Sequence, residues 1–305
     1  MTLFDFLKPR GAAAPAAAEV DDETRRRDDT VVDAVLMSGV VLPPYPALLE
    51  ELDHLLARDD FELGSLVDVV NKDPSLTAAL LRVANSPVFG LRQGISGLRQ
   101  AITVLGLART RAVLRSEVLR DALRGYGDPA LIQALWRRFS EIGELCAGLA
   151  ARSTPLKAHA DLAYSAGIFH GTGCFILVKR FPEETRGLAS AGTDFEARML
   201  ELDQTLGTDH AAIGAMVARG WRLPREVSEA IAQQHRPRQP QDATGTAERL
   251  ASALRLAILL HDDGVDPASW SAVTEAARED LDLDAEAVQE TLAEFTTAAA
   301  NPPPA

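Results

Sequence analysis

Residues 129–152 read PALIQALWRRFSEIGELCAGLAAR, and Leu131, Leu135, Phe139, Ile142, Leu145 and Leu149 recur along them at helical spacing. Side chains three, four or seven positions apart share one face of an α-helix, whereas a half-buried strand needs an alternation of period two. The same reading extends in both directions. Upstream, Leu48, Leu49, Leu52, Leu55 and Leu56 predict a helix over 44–57, and Leu63, Leu66, Val67 and Val70 predict another over 61–71. Asp73 reads as an N-cap with Pro74 at the first helical position, where its missing N–H costs nothing. Leu76, Ala79, Leu80 and Val83 then form a buried face, and Asn85-Ser86-Pro87 ends the helix. Ser96 reads as the cap of a helix through Ala101, Ile102 and Leu105, broken at Gly106 and followed by another over 108–124. Downstream, helices are predicted near 157–170, 172–180, 194–205, 208–219, 224–234, 246–261, 267–279 and 284–297. The expected class is all-α, a multi-helix domain of helix-on-helix layers.

A chain of 305 residues that is 47% hydrophobic can bury a sizeable core. Its two cysteines, Cys146 and Cys174, lie in apolar stretches outside any CxxC or Cys/His cluster, which fits small buried side chains in a reducing compartment. The first residues lack the basic and long apolar regions of a secretory signal. No uninterrupted apolar run approaches the roughly 20 residues of a membrane-spanning helix. A cytoplasmic location and no membrane partner are therefore expected. The net charge of −13 opposes general affinity for phosphate backbones, so nucleic acid is not an expected partner. Residues 1–37 read as a tail and an Ala/Pro-rich linker, 38–238 as the main domain, 239–300 as C-terminal helices packed on it, and 301–305 as a disordered tail.

Several motifs appear in a fixed order: Leu42-Pro43-Pro44-Tyr45-Pro46, Asp73-Pro74-Ser75-Leu76-Thr77 running into Leu81-Arg82-Val83-Ala84-Asn85-Ser86, Phe89-Gly90, Ile95-Ser96-Gly97-Leu98-Arg99-Gln100-Ala101-Ile102 and Leu105-Gly106-Leu107. Trp136, Gly167-Ile168-Phe169-His170-Gly171-Thr172-Gly173, Asp209-His210 with Gly214, Trp221 with Leu223-Pro224, and Gln234-His235-Arg236-Pro237 follow. Each is weak alone. In this order they resemble the HDOD domains, the HD-related output domains of bacterial signalling proteins.

The resemblance implies the helical fold of the HD metal phosphohydrolases. Those enzymes hold one or two divalent ions with a first His, a His-Asp doublet, further His residues and a final Asp. Imidazoles and carboxylates suit such ions, a carboxylate can bridge two of them, and a metal-bound water becomes nucleophilic near neutral pH. On the same alignment of motifs, the first His position falls on Phe139 and the doublet becomes His170-Gly171. A His-His pair becomes Gln234-His235, and the final Asp falls on Ile258. His170, His210 and His235 remain as vestigial candidates for a metal, and no bound metal, cofactor or catalytic residue is expected. The resemblance implies a non-catalytic module that binds a signalling protein or a nucleotide messenger, with homodimerisation open. Two alternatives stand beside it. One is a residual metal-dependent phosphohydrolase acting on nucleotides or cyclic dinucleotides; the other is a nucleic-acid-associated regulator.

Two further features compete for attention. His261-Asp262-Asp263 imitates the doublet but follows His235 in the order, and Asp262 and Asp263 read better as a helix end beside Gly264. Residues 101–124 could pass for a helix-turn-helix with Gly106 at the turn. Arg109, Arg111 and Arg115 on that segment are candidates for contact with an anion or a partner, against the plainer reading of a charged face offsetting Glu117 and Asp121. No Gly-rich phosphate loop or nucleophile elbow is present.

Overall fold

The computed structural model describes residues 41–85, 94–236, 245–262 and 277–300, and among them the chain is helical with no strand. The first three helices are α1 (Ala47–Leu56), α2 (Leu63–Asn71) and α3 (Pro74–Ala84). The Asp73 side chain accepts the Ser75 N–H at 2.8 Å, which is the cap read from the sequence. At the other end of α3 the Asn85 amide donates to the carbonyls of Leu81 and Ile95, tying the helix to the strand-free stretch before the next one. Helix α4 (Leu98–Leu123) starts at Gly97, not at Ser96, and no side chain caps it. Its backbone kinks at Gly106, where φ is +74°, a conformation that costs glycine nothing and strains other residues.

Helices α5 (Pro129–Arg152), α6 (Ala160–Phe169), α7 (Thr172–Arg180), α8 (Phe195–Leu206), α9 (His210–Gly220), α10 (Arg225–Ala232), α11 (Thr246–Asp262) and α12 (Ala285–Ala300) follow, with short 3-10 turns at Lys157–His159, Arg186–Ser190 and Gly192–Asp194. The expected helix over 267–279 lies mostly outside the described residues. Helix α5 is the organising element: α6, α11 and α12 all pack on it. Phe139, Ile142, Leu145 and Leu149 are essentially inaccessible to solvent. Each such side chain contributes about 1.5–3 kcal/mol by burial.

The α5–α6 crossing is unusually close. A Cβ at Gly167 would lie 2.5 Å from the Gly143 Cα, so the two backbones approach where neither residue carries a side chain. Helix α4 packs on α3 and α6, while α9 packs on α7 and α10. Trp221, at the end of α9, is fully buried, and its indole N–H donates to the Pro43 carbonyl at 2.9 Å. Phe169 and Tyr45 meet its ring edge-on. The first and a late motif of the sequence are thus one packing unit.

Helix α11 packs on α5, α6 and α10. Ser252 donates to Asp280 at 2.8 Å, Arg255 donates to Ser252 at 2.8 Å, and Ser153 donates to the Leu281 carbonyl at 2.6 Å. These bonds fasten the segment after residue 276 to the body. Cys146 and Cys174 are free and buried, and burial pushes both thiols upward in pKa. Lys157–Arg180 has the length and mean hydropathy of a membrane-crossing helix, but 89% of its apolar window is buried among the other helices.

Candidate functional site

The turn between α6 and α7 carries His170 and Gly171, and it meets the middle of α5. Phe139 stands edge-on to the His170 ring at 5.0 Å between centroids, and also contacts Phe175 and Phe195. A Cβ at Gly171 would lie 2.3 Å from two Phe139 ring carbons. The aromatic ring therefore fills the volume that the doublet carboxylate would need, and the loss at one position requires the loss at the other. His170 donates from Nδ1 to the Gly167 carbonyl at 2.6 Å, which leaves Nε2 as the lone-pair nitrogen. That Nε2 is buried with no hydrogen-bond partner among the described residues. Burial holds the imidazole neutral, with its pKa lowered to about 3. Ile258, where the resemblance puts the final Asp, is buried in α11. The full ligand set of the HD hydrolases is not reassembled, and a two-metal centre does not fit these residues.

A second group of side chains stays polar. His210 is the first residue of α9, whose start is capped by Asp209 accepting the Ala212 N–H at 2.9 Å. A Cβ at Gly173 would lie 2.0 Å from the His210 carbonyl oxygen, so glycine lets α7 press against this turn. Asp203, near the end of α8, accepts twice from His210, from the backbone N–H at 3.0 Å and from Nδ1 at 2.5 Å. The ring is thereby oriented with Nε2 toward His235, whose own Nε2 is 2.9 Å away. Glu196 completes the group, with Oε2 3.7 Å from His235 Nε2. The donor atoms of Glu196, His210 and His235 all lie within 4.8 Å of one another.

The electrostatics of the three differ. Burial opposes charging of His210, but the hydrogen bond and charge of Asp203, with Glu196 behind it, outweigh that and raise its pKa. Burial and the His210 charge lower His235 to about 4. Burial alone would raise Glu196, but Arg138, His235 and His210 together bring it down to about 2.

Arg138 neutralises the carboxylates. Its Nη2 donates to Glu196 Oε1 at 2.9 Å and to Asp262 Oδ2 at 2.7 Å, and Nη1 pairs with the other Asp262 oxygen. Its guanidinium also lies over the Phe195 ring, 4.2 Å from the centroid. His261 sits between Asp262 and Glu141 at 2.9 Å from each. Burial opposes the charging of His261, yet those two carboxylates raise its pKa. The imitation doublet therefore belongs to a buried ion network at the end of α11, while Asp263 lies outside the described residues. Arg138, His261 and Asp262 also line a cavity of about 310 Å³ with Arg137, Glu141 and Thr193.

The three arginines singled out on α4 all have partners within the fold. Arg109 stacks on Tyr164 at 4.2 Å and donates to the Ala160 carbonyl. Arg111 donates to Asp53 at 2.6 Å, and Arg115 lies 3.6 Å from the same carboxylate. Of the three vestigial candidates, the structure brings His210 and His235 together and leaves His170 in the aromatic half. Sequence reasoning missed Glu196, Asp203 and Arg138. A signal existed: Glu196, Met199 and Asp203 stand at i, i+3 and i+7, so two acids share the face of α8 that carries a buried methionine.

A family model described as the HDOD domain matches residues 42–237, more than half of the chain. A Treponema pallidum (strain Nichols) protein described as uncharacterized is 25% identical over 230 residues, which cover 75% of this chain and 44% of that protein. The chain thus spans less than half the length of that relative. Among solved structures, an HDOD domain protein of unknown function from Geobacter sulfurreducens is 19% identical, with a TM-score of 0.67, covering 90% of this chain and 95% of that one. A Marinobacter aquaeolei VT8 protein provisionally described as a signal transduction protein is 27% identical, with a TM-score of 0.59, covering 84% of this chain and 57% of that one. A Shewanella amazonensis SB2B protein provisionally described as a phosphohydrolase is 25% identical, with a TM-score of 0.59, covering 83% and 91%. The match over 42–237 spans every ordered motif and more than half of the chain, and on that ground the chain belongs to the HDOD domain family.

Proposed function

We propose that the chain is a non-catalytic signal-transduction module of the bacterial cytoplasm that acts by binding a protein partner or a nucleotide messenger. One observation carries the reading: the Phe139 ring occupies the space beside Gly171 where hydrolytic relatives place a metal-bridging carboxylate. Without that carboxylate, two ions cannot be held side by side to activate water and steady a leaving oxygen. The likeness to the Marinobacter protein supports a signalling role, and the free, buried Cys146 and Cys174 fit a reducing compartment. Homodimerisation is a compatible way to transmit the signal.

A residual phosphohydrolase is the competing reading, favoured by the polar cluster of Glu196, His210 and His235 and by the likeness to the Shewanella protein. A nucleic-acid role finds no support in α4, because Arg109, Arg111 and Arg115 are engaged within the fold. Hydrolysis of bis(p-nitrophenyl) phosphate and of cyclic dinucleotides, with manganese, iron or zinc supplied, separates the first two. The expected result is no turnover above metal alone, together with heat released on titration of a messenger or partner. Turnover that disappears in Glu196→Gln would overturn the proposal.

A further inference from the structure

We propose that Glu196, His210 and His235 form a site for a single divalent, zinc-class cation that braces α8, α9 and the turn after α10. His210 and His235 stand at positions that the family resemblance marks, but the carboxylate comes from α8, which no ordered motif marks, and it is what makes a one-ion site of the pair. The geometry suits one ion. Zinc binds imidazole nitrogen at about 2.0–2.1 Å, so two tetrahedral histidine ligands stand about 3.3 Å apart. Here the two Nε2 atoms are 2.9 Å apart, Glu196 Oε2 is 3.7 Å from that of His235, and all three donor atoms lie within 4.8 Å of one another, close enough to converge on one ion.

The surroundings are those of a metal centre. Asp203 holds His210 by Nδ1, the carboxylate–histidine arrangement that fixes the opposite nitrogen toward a metal. Arg138 takes only Oε1 of Glu196, leaving Oε2 to the histidines, and Asp262 offsets the charge that Arg138 brings. A bound ion would tie α8, α9 and the turn after α10 to one point. The inference is independent of the signalling reading: failure to bind metal would leave that reading untouched.

The test uses the full chain stripped with a chelator, then titrated with zinc by calorimetry and with cobalt by visible absorption. One ion per chain is expected, with the intense d–d bands of tetrahedral cobalt and a higher Tm. Glu196→Gln and His235→Gln should abolish the bands while far-ultraviolet circular dichroism remains that of the parent. Asp203→Asn should weaken binding by about 10–100-fold. His170→Gln should bind as the parent does. Absence of stoichiometric binding to the parent would overturn the proposal. So would retention of the cobalt spectrum in Glu196→Gln, or its loss in His170→Gln.

Discussion

Two adjoining regions of the fold differ in character. The aromatic region around Phe139, His170 and Gly171 is closed by ring packing, and its one imidazole is kept neutral. The polar region around Glu196, His210 and His235 keeps charge, with Asp203 and Arg138 holding each group in place. They meet where Arg138 neighbours Phe139 on α5 and Glu196 neighbours Phe195 on α8. The difference teaches that a metal site erodes by volume as well as by chemistry. Gly171 offers no carboxylate, and the Phe139 ring stands where a Cβ at 171 would be, so an acid introduced there alone does not fit.

The largest expected effect breaks the closed region. Gly171→Asp should destabilise the protein by about 4 kcal/mol or more, since it overpacks Phe139 and buries a carboxylate. Chemical denaturation measures it. Adding Phe139→His should recover at least about 1 kcal/mol, because residues in contact are not additive. Simple addition of the two losses would mean that the ring and the glycine are not coupled.

Next in size is the cation that serves the polar region. Arg138→Met leaves Glu196 and Asp262 buried without their partner and should cost about 3–5 kcal/mol. Replacing Glu196 by Gln in the Arg138→Met background should return part of that loss. No recovery would show that Arg138 acts through packing on Phe195 alone.

The pH response separates the regions more finely. His170 has its folded pKa lowered to about 3, so between that value and the ordinary 6.5 the unfolded chain binds a proton that the native chain does not. Stability from His170 is complete above pH 6.5 and falls as the pH drops, at up to about 1.4 kcal/mol per pH unit for one proton. His261 has the opposite sign. Its raised pKa gives stability present below its unfolded value and lost as pH rises through its folded one. Unfolding curves of His170→Asn between pH 7 and 5 should therefore show a shallower loss than the parent; an unchanged slope would refute the assignment.

The smallest effect is expected outside both regions. Arg111→Ala breaks a half-exposed pair with Asp53 and should cost less than about 1 kcal/mol. A protein of near-parental stability that no longer binds its partner or messenger would return Arg111 to the role of a contact residue.

Much of this was legible in the sequence. The periodicity of α5 and the cap at Asp73 needed only local spacing, and so did the break at Gly106. Phe139 and Gly171 could be singled out together because the order of the motifs fixes where to look. The Phe139–Gly171 contact was not legible, because it depends on how α5 meets the turn after α6. Glu196 and Asp203 were missed for a related reason. On an exposed helix their sequence, FEARMLELDQTL, would be an ordinary solvated face, and only tertiary packing turns it toward two histidines. The helix-end reading of Asp262 and Asp263 beside Gly264 runs past Asp262 onto residues outside the described ones, and the bond of Asp262 to Arg138 joins residues 124 positions apart.

The glycine crossing of α5 and α6 also has a mechanical side. Where two backbones touch, the contact point cannot slide or compress, so a tilt between these helices has to turn about Gly143 and Gly167. Phe139 and His170 lie on one arm of that fulcrum. Tyr164, which carries the guanidinium of Arg109 from α4, lies on the other. The close crossing thus sits between the histidine end of this helix pair and the end that α4 touches.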